Sequence, residues 1–449
     1  MYNDANGVDR RVFLGATGAV AIGGLLAAGP LSAMSPSSVR LKDELRVGLV
    51  GCGGRGTGAA LQALNADPNV RLVAMGDMFM DRVESSLSNL MAEGGDGSAP
   101  TGPNGVPPAN AALPPNQRID VPPERRFAGF DAIDKVLAAG IDIVILTSPP
   151  GFRPDHLERA VAAGKHMFVE KPVAVDTPGL IRVRKSCEDA AAKGLVLVSG
   201  LCWRYDNAMR ATFAQVHAGA IGTIRAMQCS YLTSSLWHHG RKPEWSEADY
   251  QIRNWLYYSW LSGDHLNEQA IHSLDKLLWA RQDVAPAQAV AMGGRQVRTD
   301  AKYGHIYDHF SVVYTWADGV KGFAWCRQMD GCTNDVSDHL FGTDGVCDVF
   351  QHSINGAHPW KYSGTNNNMY QTEWDELVAA VRAGKTINNG DYMVKSTMMA
   401  IMGRMAAYSG KAITWDQAWA SQENLAPAGL STGSPIIAPV AMPGITKFM

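Results

Sequence analysis

Between residues 45 and 200, short apolar runs alternate with stretches in which apolar residues recur every three or four positions. "ELRVGLVGCGGRG" reads as an apolar strand entering a glycine turn, and "GTGAALQALNADP" has helical spacing. "VRLVAMGD" predicts a second strand ending at Asp77, and "MDRVESSLSNLMAE" a second helix. "FDAIDKVLAAGIDIVILTSPP", "PDHLERAVAAGKHMFVEKP" and "PGLIRVRKSCEDAAAKGLVLVSG" each predict a helix and then a strand. This alternation predicts a parallel sheet with helices on both faces. Residues 93–117 are rich in Gly, Pro and Ala and predict no regular element. The segment joins a helix to the next strand, so it is expected at the end of the sheet opposite the strand C-termini, as an inserted loop away from the chemistry.

After Gly200 the pattern changes. "MRATFAQVHAGAI" is helical and "GTIRAMQCSYLTS" reads as a strand; an aromatic-rich, irregular stretch then runs to a helix near 263–279. "AQAVAMGGRQV", "IYDHFSVVYTWADGVKGFAWCRQM" and "DHLFGTDGVCDVF" alternate like strands, with "ADG" and "TDG" as hairpin signals. Two helices, near 371–384 and 391–409, follow. The predicted fold class is α/β: a Rossmann doubly wound parallel sheet over 45–200, then an α/β domain over 201–449 with an open, mainly antiparallel sheet.

Composition narrows the picture. The 449 residues suffice for two cores, and a hydrophobic fraction of 46% with 18% charged residues is ordinary for a globular chain. A net charge of −3 leaves no basic footprint for nucleic acid. The 7 cysteines are scattered without CxxC spacing, which predicts mostly buried thiols rather than a disulfide framework or zinc ribbon. At the N-terminus, Arg10 and Arg11 precede a weakly apolar Ala/Gly-rich run to about Ala28 and small residues near Ala33. This pattern predicts a twin-arginine (Tat) signal over 1–34, hence engagement with the Tat export machinery and a periplasmic or otherwise exported protein. Its length and glycine content speak against a stable membrane span.

Three groups of residues point to chemistry. Gly51, Gly53, Gly54, Arg55 and Gly56 lie in a GxGxxG turn between a strand and a helix, the arrangement that lets backbone approach a pyrophosphate at a helix N-terminus. Asp77, ending the next strand, is placed to accept from ribose hydroxyls, which favours NAD, with NADP the alternative. Lys171 follows an apolar strand, at the sheet edge where open parallel sheets bind ligands, and Pro172 restricts its backbone. In "GDHLNEQAIHSLDKLLWA", helical spacing puts Asp264, Glu268, His272 and Asp275 on one arc. An imidazole flanked by carboxylates is a candidate general base. A solvated polar face, or a metal bound by Glu268 and His272, is the plainer or rarer alternative, although nothing else supports a metal.

The GxGxxG turn, "TSPPGFRPDH", "GKHMFVEKP" and the helix bearing His272 together resemble the glucose–fructose oxidoreductase/inositol dehydrogenase (Gfo/Idh/MocA) family over about residues 45–280. The resemblance implies a sugar or cyclitol site between the two domains, with Lys171 and His272 matching the family's catalytic lysine and histidine. It adds Ser148, Pro149, His156, Glu170 and Lys171 to the cofactor-binding set. Where the family often has Asp four residues before the histidine, this chain has Glu268.

Residues 231–265 are dense in Trp, Tyr and His, which suits a sugar ring with apolar faces and a hydroxylated edge, and equally suits a core or subunit interface. Substrate-binding candidates are Arg204, Tyr205, His239, Trp255, Asp308 and His309. The resulting expectation is an exported NAD(P)-dependent oxidoreductase acting on a sugar or polyol, with a tightly bound, internally recycled cofactor. An NAD-dependent glycoside hydrolase acting by transient oxidation, and a non-catalytic sugar-binding protein, are the rivals. The face of an antiparallel sheet suggests a homo-oligomer.

Overall fold

A computed structural model describes residues 43–93, 113–430 and 433–448. The expected Tat segment, and most of the Gly/Pro-rich loop, lie outside the described residues. The first half of the chain runs β1 (Leu45–Val50), α1 (Gly54–Ala66), β2 (Val70–Asp77), α2 (Met80–Glu93), β3 (Arg126–Ala128), α3 (Ala132–Ala138), β4 (Ile143–Leu146), α4 (Arg153–Ala162), β5 (His166–Val169), α5 (Thr177–Ala192) and β6 (Leu197–Ser199). All six strands pair in parallel in the order β3-β2-β1-β4-β5-β6. Helices cover both faces, so β4 (IVIL) is buried at every position; this is why these strands read as continuous apolar runs. The order reverses between β2 and β4 around β1, and a crevice opens at the C-terminal ends of strands at such a switch point.

Three-residue β3 escaped the sequence reading, being too short to show a period. The loop expectation also changes at its end. Pro115–Arg118 forms a 3-10 turn, and buried Arg118 donates to the carbonyls of Leu64, Asp67 and Val70. Those contacts hold the end of the segment beside the start of β2, at the opposite edge of the sheet from Asp77.

The second half continues with α6 (Asn207–His217), β7 (Ile224–Thr233), α7 (Glu247–Arg253), α8 (Ser259–Ser262), α9 (His265–Glu268), α10 (Ile271–Ala280), β8 (Gln288–Gly294), β9 (His309–Thr315), β10 (Lys321–Gln328), β11 (Asp335–Gly342), β12 (Gly345–Asp348), β13 (Ser353–Gly356), β14 (Trp360–Lys361), α11 (Met369–Ala383), α12 (Gly390–Ser409), β15 (Ile413–Thr414) and α13 (Trp415–Ala420). Nine strands form a second sheet ordered β14-β13-β12-β11-β7-β10-β9-β8-β15, antiparallel except where β7 meets β10. Strict alternation of buried and part-buried residues along β9 marks a sheet with one face on the core. Helices α10 and α12 share that core with β7, β9 and β10 through Leu274, Leu277, Met399 and Met402. Helix α11 returns to the first sheet, where Trp374 packs 5.1 Å from Phe168 of β5. Six cysteines are buried and Cys332 is exposed. Among the described residues no helix is long and apolar enough to cross a membrane.

Candidate active site

The glycine turn is built by close approach. A Cβ on Gly56 would sit 2.0 Å from the Gly51 carbonyl oxygen, and one on Gly51, whose φ is +99°, would sit 2.4 Å from Ser148 N. Thr147 locks the turn to β4 by donating its hydroxyl to the carbonyls of Val50 (3.1 Å) and Gly51 (2.7 Å). At Gly53 and Gly54 a Cβ would meet nothing within 4 Å. These two positions face open space, and α1 starts there with its amides unpaired by any side-chain cap. That is a cradle for a pyrophosphate.

A cavity of about 470 Å³ opens over this cradle at the C-terminal edge of β1–β4. Asp77 borders it, together with Ser148, Pro149 and His156. Asp77 accepts the Cys52 amide at 2.7 Å and the Phe79 amide at 3.1 Å, so it also holds the glycine turn against β2. Burial pushes its carboxyl above the ordinary range, and these amide bonds oppose the shift. Ser148 Oγ lies 2.9 Å from His156 Nδ1, and burial pushes that imidazole down to about 4, so it is neutral near pH 7. Arg55, Gly51, Gly53, Gly54 and Gly56 line the same cavity. The residues present therefore fit a dinucleotide.

Lys171 stands two residues beyond β5, and its peptide bond to Pro172 is cis. Its Nζ donates to the carbonyl oxygen of Glu268 at 2.5 Å and to Glu268 Oε1 at 3.1 Å. Burial works against its charge, but Glu268 and Glu170 outweigh it, so the ammonium is held above its ordinary range. Glu170 pairs with Arg55, which also reaches Glu373 of α11 at 3.2 Å, linking the lysine loop to the glycine turn. Arg153, a residue sequence reasoning passed over, is buried and donates to the carbonyls of Ser148 and Pro172. It ties the loop after β4 to the loop after β5. No periodic signal marks it, because its partners are backbone oxygens.

The helix expected near 263–279 is broken at Gln269–Ala270 into α9 and α10. The break corrects the idea of one carboxylate arc around His272. Asp264 has φ 69° and is pinned by Tyr307 N (2.8 Å), Tyr408 Oη (2.5 Å) and its neighbour's amide, His265 N (2.6 Å). A non-glycine residue in that region costs of order 1–3 kcal/mol, which these three bonds offset. Asp275 is committed to Arg204, and Glu268 to Lys171. His272 keeps a buried Nδ1 without a hydrogen-bond partner. Burial, then the positive charges of Lys171, Lys276 and Arg55, hold its imidazole well below the ordinary range. The site thus pairs a protonated amine with a neutral imidazole.

Other sequence candidates fall elsewhere. Arg204 is buried against Asp275 (2.8 Å) and Asp283 (2.6 Å) and stacks over Tyr392, so it is a structural clamp and not a free substrate ligand. Tyr205 is buried and donates to Asn389. Asp308 is fully buried and accepts the amides of Gln296, Val297 and Arg298; His309 is half-exposed, with Nδ1 2.8 Å from that carboxylate. His239 and Trp255 line the dinucleotide cavity. Tyr250, Tyr257, Tyr258 and Trp260 of the aromatic stretch form a small core against Phe79 and Phe152.

Two family descriptions match the chain: "Oxidoreductase family, NAD-binding Rossmann fold" over residues 105–199, and "GFO/IDH/MocA C-terminal domain" over 209–348. Together they span more than half of it. The chain belongs to the Gfo/Idh/MocA oxidoreductase family. It is 29% identical to inositol 2-dehydrogenase 3 of Saccharopolyspora erythraea over 189 residues, 42% of this chain and 48% of that one. It is 27% identical to inositol 2-dehydrogenase of Burkholderia cenocepacia over 255 residues, 56% of this chain and 66% of that one. The matched stretches thus span from about half to about two thirds of these relatives. In fold, the chain resembles aldose-aldose oxidoreductase from Caulobacter crescentus, with a TM-score of 0.61, 17% identity, and coverage of 83% of this chain and 99% of that one. The family's NAD-binding Rossmann domain agrees with the cavity at Gly51–Gly56 and Asp77.

Proposed function

We propose that this protein is an NAD-dependent oxidoreductase that oxidises a secondary hydroxyl of a polyol, such as an inositol, or of a sugar. The observation that carries the reading is the pairing of Lys171 with Glu268 at the end of α9, with the unpartnered Nδ1 of His272 in the first turn of α10 under the charge of Lys171, and with Arg55 joining this cluster to the dinucleotide cavity. A neutral, buried imidazole is suited to take the hydroxyl proton. The Lys171 ammonium, oriented by Glu268, donates to the oxygen as negative charge grows on it, in a site where water does not screen the interaction. Gly51–Gly56 and Asp77 would hold the dinucleotide, which when bound would supply the oxidant as a hydride acceptor. That the matched relatives are inositol 2-dehydrogenases supports a polyol substrate.

The reading extends to location. Arg10–Arg11 ahead of an apolar run supports export of the folded chain through the Tat route, with the cofactor loaded beforehand. Free NAD is scarce outside the cytoplasm, so a retained cofactor would take hydride from the polyol and would be returned to its oxidised form in place by reducing a separate carbonyl compound. Lys171→Ala and His272→Ala are each expected to lower turnover by about 10²–10⁴-fold while the protein still binds NAD. The mature protein, gel-filtered and supplied with a polyol and a carbonyl acceptor but no nucleotide, is expected to turn over. Protein that emerges free of nucleotide and depends wholly on added NAD sinks the recycling reading. Release of free sugar from a glycoside without net NADH redirects the assignment to a hydrolase.

A further inference from the structure

The dinucleotide cavity has a wall that does not come from the Rossmann domain. Trp237, His239, Arg253 and Trp255 belong to the stretch between β7 and α10, yet they line the same cavity as Gly51–Gly56 and Asp77. Asp77 ends β2 and Lys171 follows β5, two strands beyond β1 on the other side. The cavity at β2 therefore belongs to the adenosine half of a dinucleotide, remote from the reacting ring.

The stretch is fastened there by side chains. Arg253 makes a bidentate ion pair with Asp81 of α2, at 2.8 and 2.9 Å, and its guanidinium stacks 3.8 Å over Phe79 and 4.7 Å over Trp245. Arg82 of α2 lies 3.1 Å from His239 Nε2. Asn254 braces the wall by accepting the His239 amide at 2.8 Å and donating back to its carbonyl at 3.0 Å. Trp237 remains 44% exposed at the rim, 4.9 Å from the His239 ring. A stretch that served only to pack the two halves together would bury that indole, whereas one that covers a ligand leaves it facing the cavity.

We propose that residues 237–255 form a latch over the adenosine half of the dinucleotide site, and that the Arg253–Asp81 and His239–Arg82 contacts set how long the cofactor stays. This rests on the dinucleotide reading of the cavity and supplies a physical basis for retention. The Asp81 carboxylate is largely exposed while the Arg253 side chain is only 12% exposed, so removing Asp81 leaves a guanidinium held by its stacking on Phe79 and Trp245. With one partner exposed to solvent the pair is partly screened, and its loss is expected to change the release rate about fivefold. Arg253 contributes stacking as well, so its loss is expected to have the larger effect.

The test uses the full mature chain loaded with NADH and chased with excess NAD, following the loss of energy transfer from tryptophan to bound NADH. Asp81→Ala is expected to speed release about threefold to fivefold, and Arg253→Ala tenfold or more. High salt is expected to speed release from the wild type and to have little effect on Asp81→Ala. Release rates equal in the wild type and both variants overturn the latch. Fast release from the wild type, faster still in the variants, supports the latch and removes cofactor retention. Should Arg253→Ala fail to fold, Asp81→Ala and the salt dependence decide alone.

Discussion

Lys171 and Glu268 meet twice. The ammonium touches the backbone carbonyl of Glu268 at 2.5 Å and its carboxylate at 3.1 Å, so α9 both fixes the lysine and sustains its charge. The carboxylate is the larger of the two charges that lift Lys171 against burial. In Glu268→Gln the backbone contact survives, and burial then pulls the lysine down. A protonated lysine active at neutral pH is lost as pH rises through its pKa. The alkaline limb of kcat/KM is therefore expected to move to lower pH. The acid limb, set by a His272 held well below its usual range, is expected to stay below pH 6.5. A pH–rate profile of the variant checks both limbs, and an unmoved alkaline limb removes Glu268 from this role.

The glycines separate binding from folding. Ala at position 56 puts a methyl 2.0 Å from the Gly51 carbonyl, so Gly56→Ala is expected to cost about 1–3 kcal/mol of stability. Gly53 has a φ of −76°, which any residue adopts, and open space beyond it. Gly53→Ala is expected to unfold at the same urea midpoint as the wild type and yet bind NAD at least about tenfold more weakly, a difference of 1.4 kcal/mol. Calorimetric titration beside urea unfolding distinguishes the two.

Asp77 is expected to govern the choice of dinucleotide. Asp77→Asn keeps the shape of the side chain and removes the charge that repels a 2′-phosphate. NAD affinity is expected to fall about tenfold, in line with the loss of a charged hydrogen bond, while NADP affinity rises. Dissociation constants for both cofactors report this, and an unchanged ratio means that Asp77 serves only to hold the glycine turn.

Arg204 is expected to matter for stability and not for substrate. Arg204→Ala leaves Asp275 buried without its partner, a loss of about 3–5 kcal/mol. Urea unfolding measures it. The folded fraction is expected to show a KM for polyol within about threefold of the wild type, and a large rise in KM returns Arg204 to the substrate site.

Much of this protein was determined by its sequence alone. The continuous apolar strands of the first half, the Gly51–Gly56 turn, Asp77 at a strand end and Lys171 just past another are local patterns. In an open parallel sheet every strand C-terminus lies on one edge, so local position suffices to gather those residues at one crevice. Helical spacing likewise brought Glu268 and His272 into consideration. Tertiary structure alone decided which charge meets which. On a helical wheel Asp264, Glu268 and Asp275 are equivalent neighbours of His272, but the break at Gln269–Ala270 and partners far along the chain, Tyr408, Lys171 and Arg204, divide them among three tasks. The aromatic stretch shows the same limit. Its composition suits a sugar or a core, and only tertiary contacts, Arg253 on Phe79 and Asp81 and His239 on Asn254 and Arg82, hold this stretch where His239 and Trp255 line the dinucleotide cavity. Apart from the local brace of His239 on Asn254, such pairings join residues from 71 to more than 170 positions apart, and a period read along one element carries no information about what another element brings to it.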